Sequence, residues 1–220
     1  MGVILNDWPG TAVPPEAIEG WRAIPTAIAS DELERSGTAD GGIAAIGPAC
    51  RMVGPAFTVR AMVADNLAIH HAVSLAPPGV VLVIDGGGHH GRNAMWGGIL
   101  HRAAELRGIA GVVVDGSVRD KAELAASAVP CFARAVVPAG PHKGFGGEIN
   151  GPVQVGAAVV MPGDLVLGDE DGVAVVPAAR AAGIHGRCLA RIAAEAEILR
   201  RLEAGETTVA IMGLAPPERR

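Results

Sequence analysis

Short runs of apolar and β-branched residues alternate along the chain with stretches of helical periodicity. Runs of this kind are typical of strands that are buried on both faces of a sheet. The helical stretches between them predict crossover helices, and together they indicate an α/β fold with parallel strands. The predicted strands lie at residues 52–63 (starting after Gly54-Pro55), 80–84, 109–114, 130–137, 148–155 and 157–160, followed by a hairpin of residues 165–167 and 173–176.

Residues that commonly begin or end a helix occur in the stretches between these strands. Asp65-Asn66 is a typical N-cap, with the Asn side chain expected to accept the free N–H groups of a first helical turn. Gly108 and Gly205 are placed where glycine commonly ends a helix. The predicted helices lie at residues 25–34, 66–75, 99–107, 121–126 and 178–204, the last being long and charged.

At 220 residues the chain can form one domain with a well-buried core. We expect residues 1–23 to be an extended arm whose Trp8 and Trp21 pack on the body or on a neighbouring subunit. Residues 24–177 would form the α/β domain. Residues 178–220 would form a C-terminal helix and tail that contact another subunit.

Composition narrows the class of protein. Half of the residues are hydrophobic but only 3% are aromatic, so the core must be built from Ala, Val, Leu and Ile. No apolar run is long enough to cross a bilayer and no secretory leader is evident, which predicts a cytoplasmic protein without membrane contact. The three cysteines lack metal-site spacing and are expected to be free thiols. A net charge of −5 argues against binding to nucleic acid.

Residues 96–120, WGGILHRAAELRGIAGVVVDGSVRD, carry the candidate chemistry. The glycine turn at the start of a helix presents backbone N–H groups that can hold a carboxylate or phosphate. A buried strand then ends at Asp115-Gly116, and Arg119 and Asp120 follow as a fixed cation and a candidate metal ligand. The alternative interpretation is an ordinary exposed ion pair that caps the next helix.

A second, glycine-rich loop at residues 85–96 contains His89, His90 and Arg92. Adjacent histidines can bind a transition metal, but they point apart in a loop and no third ligand stands at a metal-site spacing. The favoured interpretation is a mobile lid over an anionic substrate, to which Arg92 or a histidine contributes positive charge. His70 and His71, within a predicted helix, are interpreted as structural residues.

The block GVVVDGSVRD, with the WGG turn upstream, resembles the RraA-like family over residues 24–205. That family includes metal-dependent 4-hydroxy-4-methyl-2-oxoglutarate / 4-carboxy-4-hydroxy-2-oxoadipate aldolases and the RraA regulators of ribonuclease E. Its members often carry a demethylmenaquinone methyltransferase label. Since this chain shows no glycine-rich nucleotide loop after its first strand, the label finds no support here.

The resemblance implies a single α/β domain with a central mixed sheet layered by helices, similar to a swivelling phosphohistidine domain, assembled as trimers or dimers of trimers. It implies that Arg119 binds the C2 oxygen of a 2-oxo acid and that Asp120 positions Mg²⁺ or Mn²⁺. An adjacent subunit would contribute Glu197 or Asp40. Backbone N–H groups for the substrate carboxylate would come from Gly97, Gly98, Ile99 and Leu100.

One position departs from the aldolases, which carry an Asp 21 residues before the Arg. Gly98 stands there in this chain, and Asp40, Asp85 or Asp115 are candidates to compensate. The resemblance predicts a divalent-metal-dependent lyase that cleaves a 4-hydroxy-2-oxo acid or decarboxylates oxaloacetate through a pyruvate enolate. The alternative is a non-catalytic RraA-like protein that regulates a partner such as a ribonuclease. Gly98 favours this alternative, whereas the long C-terminal helix favours the lyase.

Overall fold

A computed structural model describes residues 2–88 and 91–218 of the protein. Its strands follow the apolar runs, because Val, Ile and Leu in these runs are buried on both faces. The strands are β1 (Val3–Leu5), β2 (Ala44–Ala45), β3 (Met52–Ala61), β4 (Val81–Asp85), β5 (Gly111–Val118), β6 (Cys131–Val136), β7 (Gly147–Ile149), β8 (Val153–Val155), β9 (Ala158–Val160), β10 (Leu165–Asp169) and β11 (Gly172–Val176).

The main sheet has the strand order β1-β7-β3-β4-β5-β6-β2. Strands β3 to β6 are parallel, whereas β7 and β2 run antiparallel to their neighbours β3 and β6. The first half of β3 pairs instead with β10, which forms a hairpin with β11. Strands β8 and β9 form a separate hairpin. The predicted α/β fold with a central mixed sheet is confirmed.

Helices cover the sheet and connect its strands. Most connect successive strands, and α6 is the predicted long C-terminal helix, preceded by a short 3₁₀ turn at Ala178–Arg180. None of the helices in the described part of the chain has the length and apolar character that a bilayer span needs. The helices are α1 (Pro15–Trp21), α2 (Thr26–Glu32), α3 (Leu67–Leu75), α4 (Gly98–Leu106), α5 (Lys121–Ala126), α6 (Ala181–Glu203) and α7 (Thr208–Met212).

The core divides into two layers along the parallel strands and a third region under the C-terminal helix. On one face of the sheet, α3 and α4 pack against alternate residues such as Leu82 and Ile84. On the other face, Val83 and Val113 pack against the β8–β9 hairpin. The third region joins α1, α2 and α6 around Trp21. Fully burying one such aliphatic side chain contributes about 1.5–3 kcal/mol.

Several predicted boundaries were wrong. Strand β3 begins at Met52 and runs through Gly54-Pro55, which lies where its partner changes from β10 to β4. Strand β5 does not end at Asp115-Gly116 but continues to Val118 after an irregularity in its pairing with β6. The single strand predicted at 148–155 is two strands, β7 and β8, separated by a turn.

The N-terminal residues are more regular than the predicted extended arm. Strand β1 pairs with β7, and α1 buries Trp21 to 1% exposure. The Trp8 indole N–H donates to the Ala56 carbonyl at 3.1 Å. Both tryptophans therefore pack on the body of this chain, which holds the N-terminal residues against the sheet.

Candidate active site

The WGG turn reaches Arg119 and Asp120 because its backbone runs alongside the end of β5. The Met95 N–H donates to the Ser117 carbonyl at 2.8 Å, and the Arg119 N–H donates to the Trp96 carbonyl at 2.9 Å. Trp96 and Val118 form an isolated parallel bridge. The two halves of the motif predicted from sequence therefore meet in space at the carboxyl end of a central strand, where α/β proteins commonly place their sites.

Asp120 lies against the amino end of α4. Its Oδ2 accepts a hydrogen bond from the Gly98 N–H at 2.9 Å, so this predicted substrate-binding amide is already engaged. Asp120 has φ 60° and ψ 40°, a left-handed conformation that costs a non-glycine residue about 1–3 kcal/mol and is concentrated at functional sites. The first-turn N–H groups of Ile99 and Leu100 precede the first intrahelical hydrogen bond of α4 and remain available to a ligand.

The Arg119 and Asp120 side chains occupy space that is open because residues 97 and 140 are glycines without side chains. A Cβ atom at Gly97 would lie 2.7 Å from Asp120 Oδ2 and 2.9 Å from Arg119 Cγ. A Cβ atom at Gly140 would lie 2.7 Å from the Arg119 Nη1. The Arg119 Nε lies 3.5 Å from Asp120 Oδ2, and the Arg119 side chain remains 39% exposed. The guanidinium is thus positioned by glycines on two loops while its donors stay accessible.

A cavity of about 100 Å³ lies beside this arrangement. One of its lining residues, Asn66, is only 5% exposed, and among the described residues nothing bonds to its buried Oδ1. The Asn66 Nδ2 donates to the Met95 carbonyl at 3.2 Å, which directs Oδ1 away from that bond. The cavity is lined by Asn66, His70, Met95, Trp96, Gly97, Ile99, Leu100, Arg119, Pro141 and Lys143.

The charges around the cavity are predominantly positive. Arg119 and Lys143 are cations, and His70 lies with them. Burial lowers the pKa of His70 from its ordinary value, and the charges of Lys143 and His71 lower it further. The histidine is therefore neutral at neutral pH, and an anion entering the cavity would meet two fixed cations.

Asp65 anchors the loop that supplies Lys143. The Asp65 carboxylate accepts hydrogen bonds from the backbone N–H groups of Leu67 (2.9 Å), Gly144 (2.7 Å) and Phe145 (3.2 Å). Burial alone would raise the pKa of Asp65, but these three bonds and the nearby His142 together lower it. It is Asp65, not Asn66 as predicted, that caps α3, because the Asn66 side chain bonds to the Met95 carbonyl instead.

The three carboxylates proposed to compensate for Gly98 are engaged elsewhere. Asp115 is 4% exposed and binds the Arg134 guanidinium and the Gly156 N–H. Asp40 binds the same guanidinium with both oxygens at 2.9 Å. The Asp85 side chain accepts bonds from the N–H groups of Gly87 and Gln154. These acids are bonded within the fold of this chain, and compensation by one of them for Gly98 stays a prediction.

The remaining predicted site residues lie on the C-terminal helix or outside the residues that the structure describes. Glu197 is exposed on α6, where hydrogen bonds from Arg200 lower its pKa. That Glu197 or Asp40 completes the site of an adjacent subunit stays a prediction. His89 and His90 lie outside the described residues, so the predicted lid stays a prediction as well.

Several cavity residues could not be identified from the sequence alone. Asn66 was interpreted as a helix cap and His70 as a structural histidine, yet both line the cavity. Lys143 follows β6 in a Pro- and Gly-rich loop whose path cannot be derived from periodicity. The sequence did contain one signal. Asp65 alone can cap the helix, so the polar side chain of Asn66 beside it is available for another role.

A larger cavity of about 630 Å³ lies elsewhere, at the edge formed by β1, β3 and β7. Its side chains are mainly apolar, including Met62 and Phe145, and its charged residues Arg60 and Glu148 pair with each other. It lacks the convergent polar groups that mark an active site.

The chain belongs to the RraA-like family. The family description, Aldolase/RraA, matches residues 26–175. A relative from Halalkalibacterium halodurans, which carries the provisional name 4-hydroxy-4-methyl-2-oxoglutarate aldolase, is 40% identical over 160 residues, covering 73% of this chain and 76% of the relative. The resemblance expected from the DGSVRD block is therefore confirmed.

Two solved structures show the same fold over most of the chain. An uncharacterized protein from Pseudomonas syringae pv. tomato is 28% identical with a TM-score of 0.79, covering 92% of this chain and 94% of that chain. Streptomyces coelicolor RraAS2, described as an unusual member of the RNase ES inhibitor RraA protein family, is 26% identical with a TM-score of 0.77, covering 86% and 98%. The family thus contains proteins named for catalysis and proteins named for inhibition.

Proposed function

We propose that the protein is a divalent-metal-dependent lyase that cleaves a 4-hydroxy-2-oxo acid of the 4-hydroxy-4-methyl-2-oxoglutarate type, or decarboxylates oxaloacetate, through a pyruvate enolate. One observation carries the proposal: Arg119 and the amino end of α4 line a small, positively charged cavity, and the Asp120 carboxylate lies beside them, bonded to the Gly98 N–H and 3.5 Å from Arg119 Nε. This set of groups suits a small dianion whose 2-oxo group gains negative charge during the reaction.

The roles of the side chains follow from where charge develops. Breaking the C3–C4 bond sends its electrons to the C2 oxygen, which the Arg119 guanidinium would stabilise. The C4 hydroxyl becomes a carbonyl and its proton passes to solvent, whereas oxaloacetate releases CO₂ instead. The substrate carboxylate would bind the N–H groups of Ile99 and Leu100, where the helix dipole favours an anion. The bare Oδ1 of Asn66 would accept a hydrogen bond from the substrate hydroxyl.

The donors at Asp120 fit Mg²⁺ or Mn²⁺. Within residues 2–88 and 91–218, the hydrogen bonds to the Asp120 side chain engage only Oδ2, so Oδ1 is open to a cation. The described residues contain no group of three or more His, Cys, Asp or Glu side chains that could hold a metal. A magnesium site with one or two carboxylates and several waters remains compatible with that. The cation would act as a Lewis acid on the 2-oxo acid.

A homo-oligomer is part of the proposal. The cavity of about 100 Å³ is smaller than the roughly 300–1,000 Å³ of most ligand sites. A second subunit of a trimer or a dimer of trimers, contributing Glu197 or Asp40, would enlarge and close it. Sedimentation of the purified protein, with and without Mg²⁺, tests this assembly, and a monomer under both conditions would contradict it.

The direct test of the activity is pyruvate release from 4-hydroxy-4-methyl-2-oxoglutarate and from oxaloacetate in a coupled assay. We expect turnover with Mg²⁺ or Mn²⁺, loss of turnover in EDTA, and recovery when the metal is returned in excess. No turnover of either substrate with either metal, in a folded protein, would refute the lyase.

The alternative function is a regulatory protein that binds a partner such as a ribonuclease. The RraAS2 description is the observation that favours it. Arg119 and Asp120 do not separate the two functions, whereas the pyruvate assay does. An inactive protein that binds a ribonuclease in a pull-down with purified components would establish the alternative.

A further inference from the structure

A buried histidine is hydrogen-bonded to the tryptophan of the WGG turn. The Trp96 indole N–H donates to Nδ1 of His101 at 3.2 Å. The two rings meet edge to face, with centroids 6.1 Å apart and planes at 89°. Because Trp96 is 1% exposed and His101 is 3% exposed, loss of this bond would leave a buried indole N–H without a partner.

The hydrogen bond defines the protonation state that His101 needs. An indole N–H can only donate, so Nδ1 must carry a lone pair and the ring proton lies on Nε2. Burial lowers the pKa of His101 from its ordinary 6.5, and the nearby Glu105 carboxylate and Val129 backbone oppose that effect without cancelling it. The ring is therefore neutral at neutral pH, and protonation of Nδ1 at lower pH would remove the acceptor.

Trp96 connects His101 to the candidate active site. The Trp96 carbonyl accepts the Arg119 N–H at 2.9 Å, and the tryptophan lines the cavity together with Arg119. His101 lines a separate cavity of about 270 Å³, so it acts on the site through Trp96. The His101 N–H also donates to the Gly97 carbonyl at 3.0 Å. The backbone and the side chain of His101 therefore both bind the WGG turn.

Charged groups lie on both sides of the contact between Trp96 and His101. Arg102 donates to the Glu105 carboxylate at 2.8 Å, so these two charges largely offset each other beside the His101 ring. In the described part of the chain, the titratable and charged side chains that line the two cavities with Trp96 and His101 are His70, Arg102, Glu105, Arg119, Glu123 and Lys143. Since His70 is a second histidine in this set, a test must separate its titration from that of His101.

We propose that His101 is a positioning residue: its neutral imidazole fixes the Trp96 indole, and the Trp96 backbone holds Arg119 where charge develops on the substrate. This inference rests on the proposed function, because the position of Arg119 matters for the chemistry proposed there. A misplacement of about 1 Å far from the chemistry can lower a rate about 100-fold. Protonation of His101 would release the indole and lower kcat in the same way.

The first test compares variants by kcat and KM for pyruvate release with saturating Mg²⁺. His101→Leu fills the space but removes the acceptor, and we expect kcat to fall about 10- to 100-fold with little change in KM. His101→Asn keeps an oxygen acceptor near the position of Nδ1 and should retain most of the wild-type kcat. The matched control is His71→Leu, at an exposed histidine of α3, which should keep wild-type kinetics. Circular dichroism establishes that each variant is folded.

The pH profile of kcat separates positioning from a merely structural role. In the wild type, kcat should fall as the pH drops through the pKa of His101, below 6.5, because the protonated ring cannot accept the indole N–H. Asparagine does not titrate, so this fall should be absent in His101→Asn. A fall that persists unchanged in His101→Asn would belong to His70 and would overturn the assignment, as would a wild-type kcat in folded His101→Leu.

Oxalate, a planar dianion that resembles the enolate of pyruvate, separates this inference from the proposed function. By calorimetry with Mg²⁺, His101→Leu should bind oxalate about 10-fold or more weakly than the wild type, the effect of losing one hydrogen bond to a charged group. His101→Asn should bind oxalate as the wild type does. If the wild type releases no pyruvate, this order of affinities would support positioning and refute the lyase alone. Equal affinities in the three proteins, or no binding by the wild type, would overturn the inference.

Discussion

Replacing Asp65 with Asn tests how the loop that carries Lys143 is held at the cavity. In the wild type Oδ1 accepts the Leu67 N–H, and Oδ2 accepts the N–H groups of Gly144 and Phe145. The asparagine keeps one acceptor but presents an NH₂ group to two donors. The substitution therefore removes two charge-assisted hydrogen bonds and places donors against each other.

The size of the effect follows from those two bonds. Hydrogen bonds to charged groups contribute about 1.5–3 kcal/mol each, and the exposed Gly144 and Phe145 can recover part of this from water. We expect Asp65→Asn to lower the free energy of unfolding by about 3 kcal/mol, a drop in Tm of about 6–12 °C for a chain of this length. Thermal denaturation measures this, with the exposed Asp171→Asn as matched control.

The pH dependence gives a sharper check. Since the pKa of Asp65 is below its ordinary value of 3.8 in the folded protein, the unfolded chain binds the proton more readily. Stability from Asp65 is then present above pH 3.8 and lost as the pH falls through the folded value. The difference between wild type and Asp65→Asn should shrink below pH 4. A difference that is absent at pH 7, or constant down to pH 3, would refute the reasoning.

Three further predictions concern the fold and the cavity. Arg134→Met should destabilise the protein by about 3–5 kcal/mol in denaturant unfolding, because Asp115 is left buried and unpaired; an unchanged midpoint would contradict this. The His70 imidazole should titrate below its ordinary 6.5 by NMR, and added pyruvate should raise its pKa; an unshifted titration would count against the cavity. Gly97→Ala should reduce turnover far more than stability, since its methyl group would displace Asp120, and unchanged kcat would argue against that geometry.

The sequence contained most of the information needed for the main sheet and the central motif. The parallel strands are continuous apolar runs, and the WGG turn and Arg119-Asp120 are joined by one helix and one strand, so their meeting follows from α/β topology. The predicted strand boundaries were wrong where the pairing of a strand with its neighbour changes. This happens at Gly54-Pro55 in β3 and after Val114 in β5.

The rest of the site depends on contacts that periodicity does not encode. Asn66 and Lys143 come together because the backbone at Asp65 bridges to His142 and the Asp65 carboxylate binds the backbone of the same distant loop. Asp115 belongs to the recognisable DGSVRD block, yet its partner Arg134 comes from β6 and makes it structural. The space beside Gly98 is filled by Glu123, a contact that forms only in the folded chain.

The most direct test of the central claim is the turnover number for pyruvate release by Arg119→Ala beside the wild type, with saturating Mg²⁺. The account predicts a loss in kcat of about 10²–10³-fold, because the guanidinium acts where charge develops on the C2 oxygen. Arg107→Ala, at the exposed end of the same α4 helix, should retain wild-type turnover. An Arg119→Ala protein that stays folded and keeps the wild-type kcat would contradict the account.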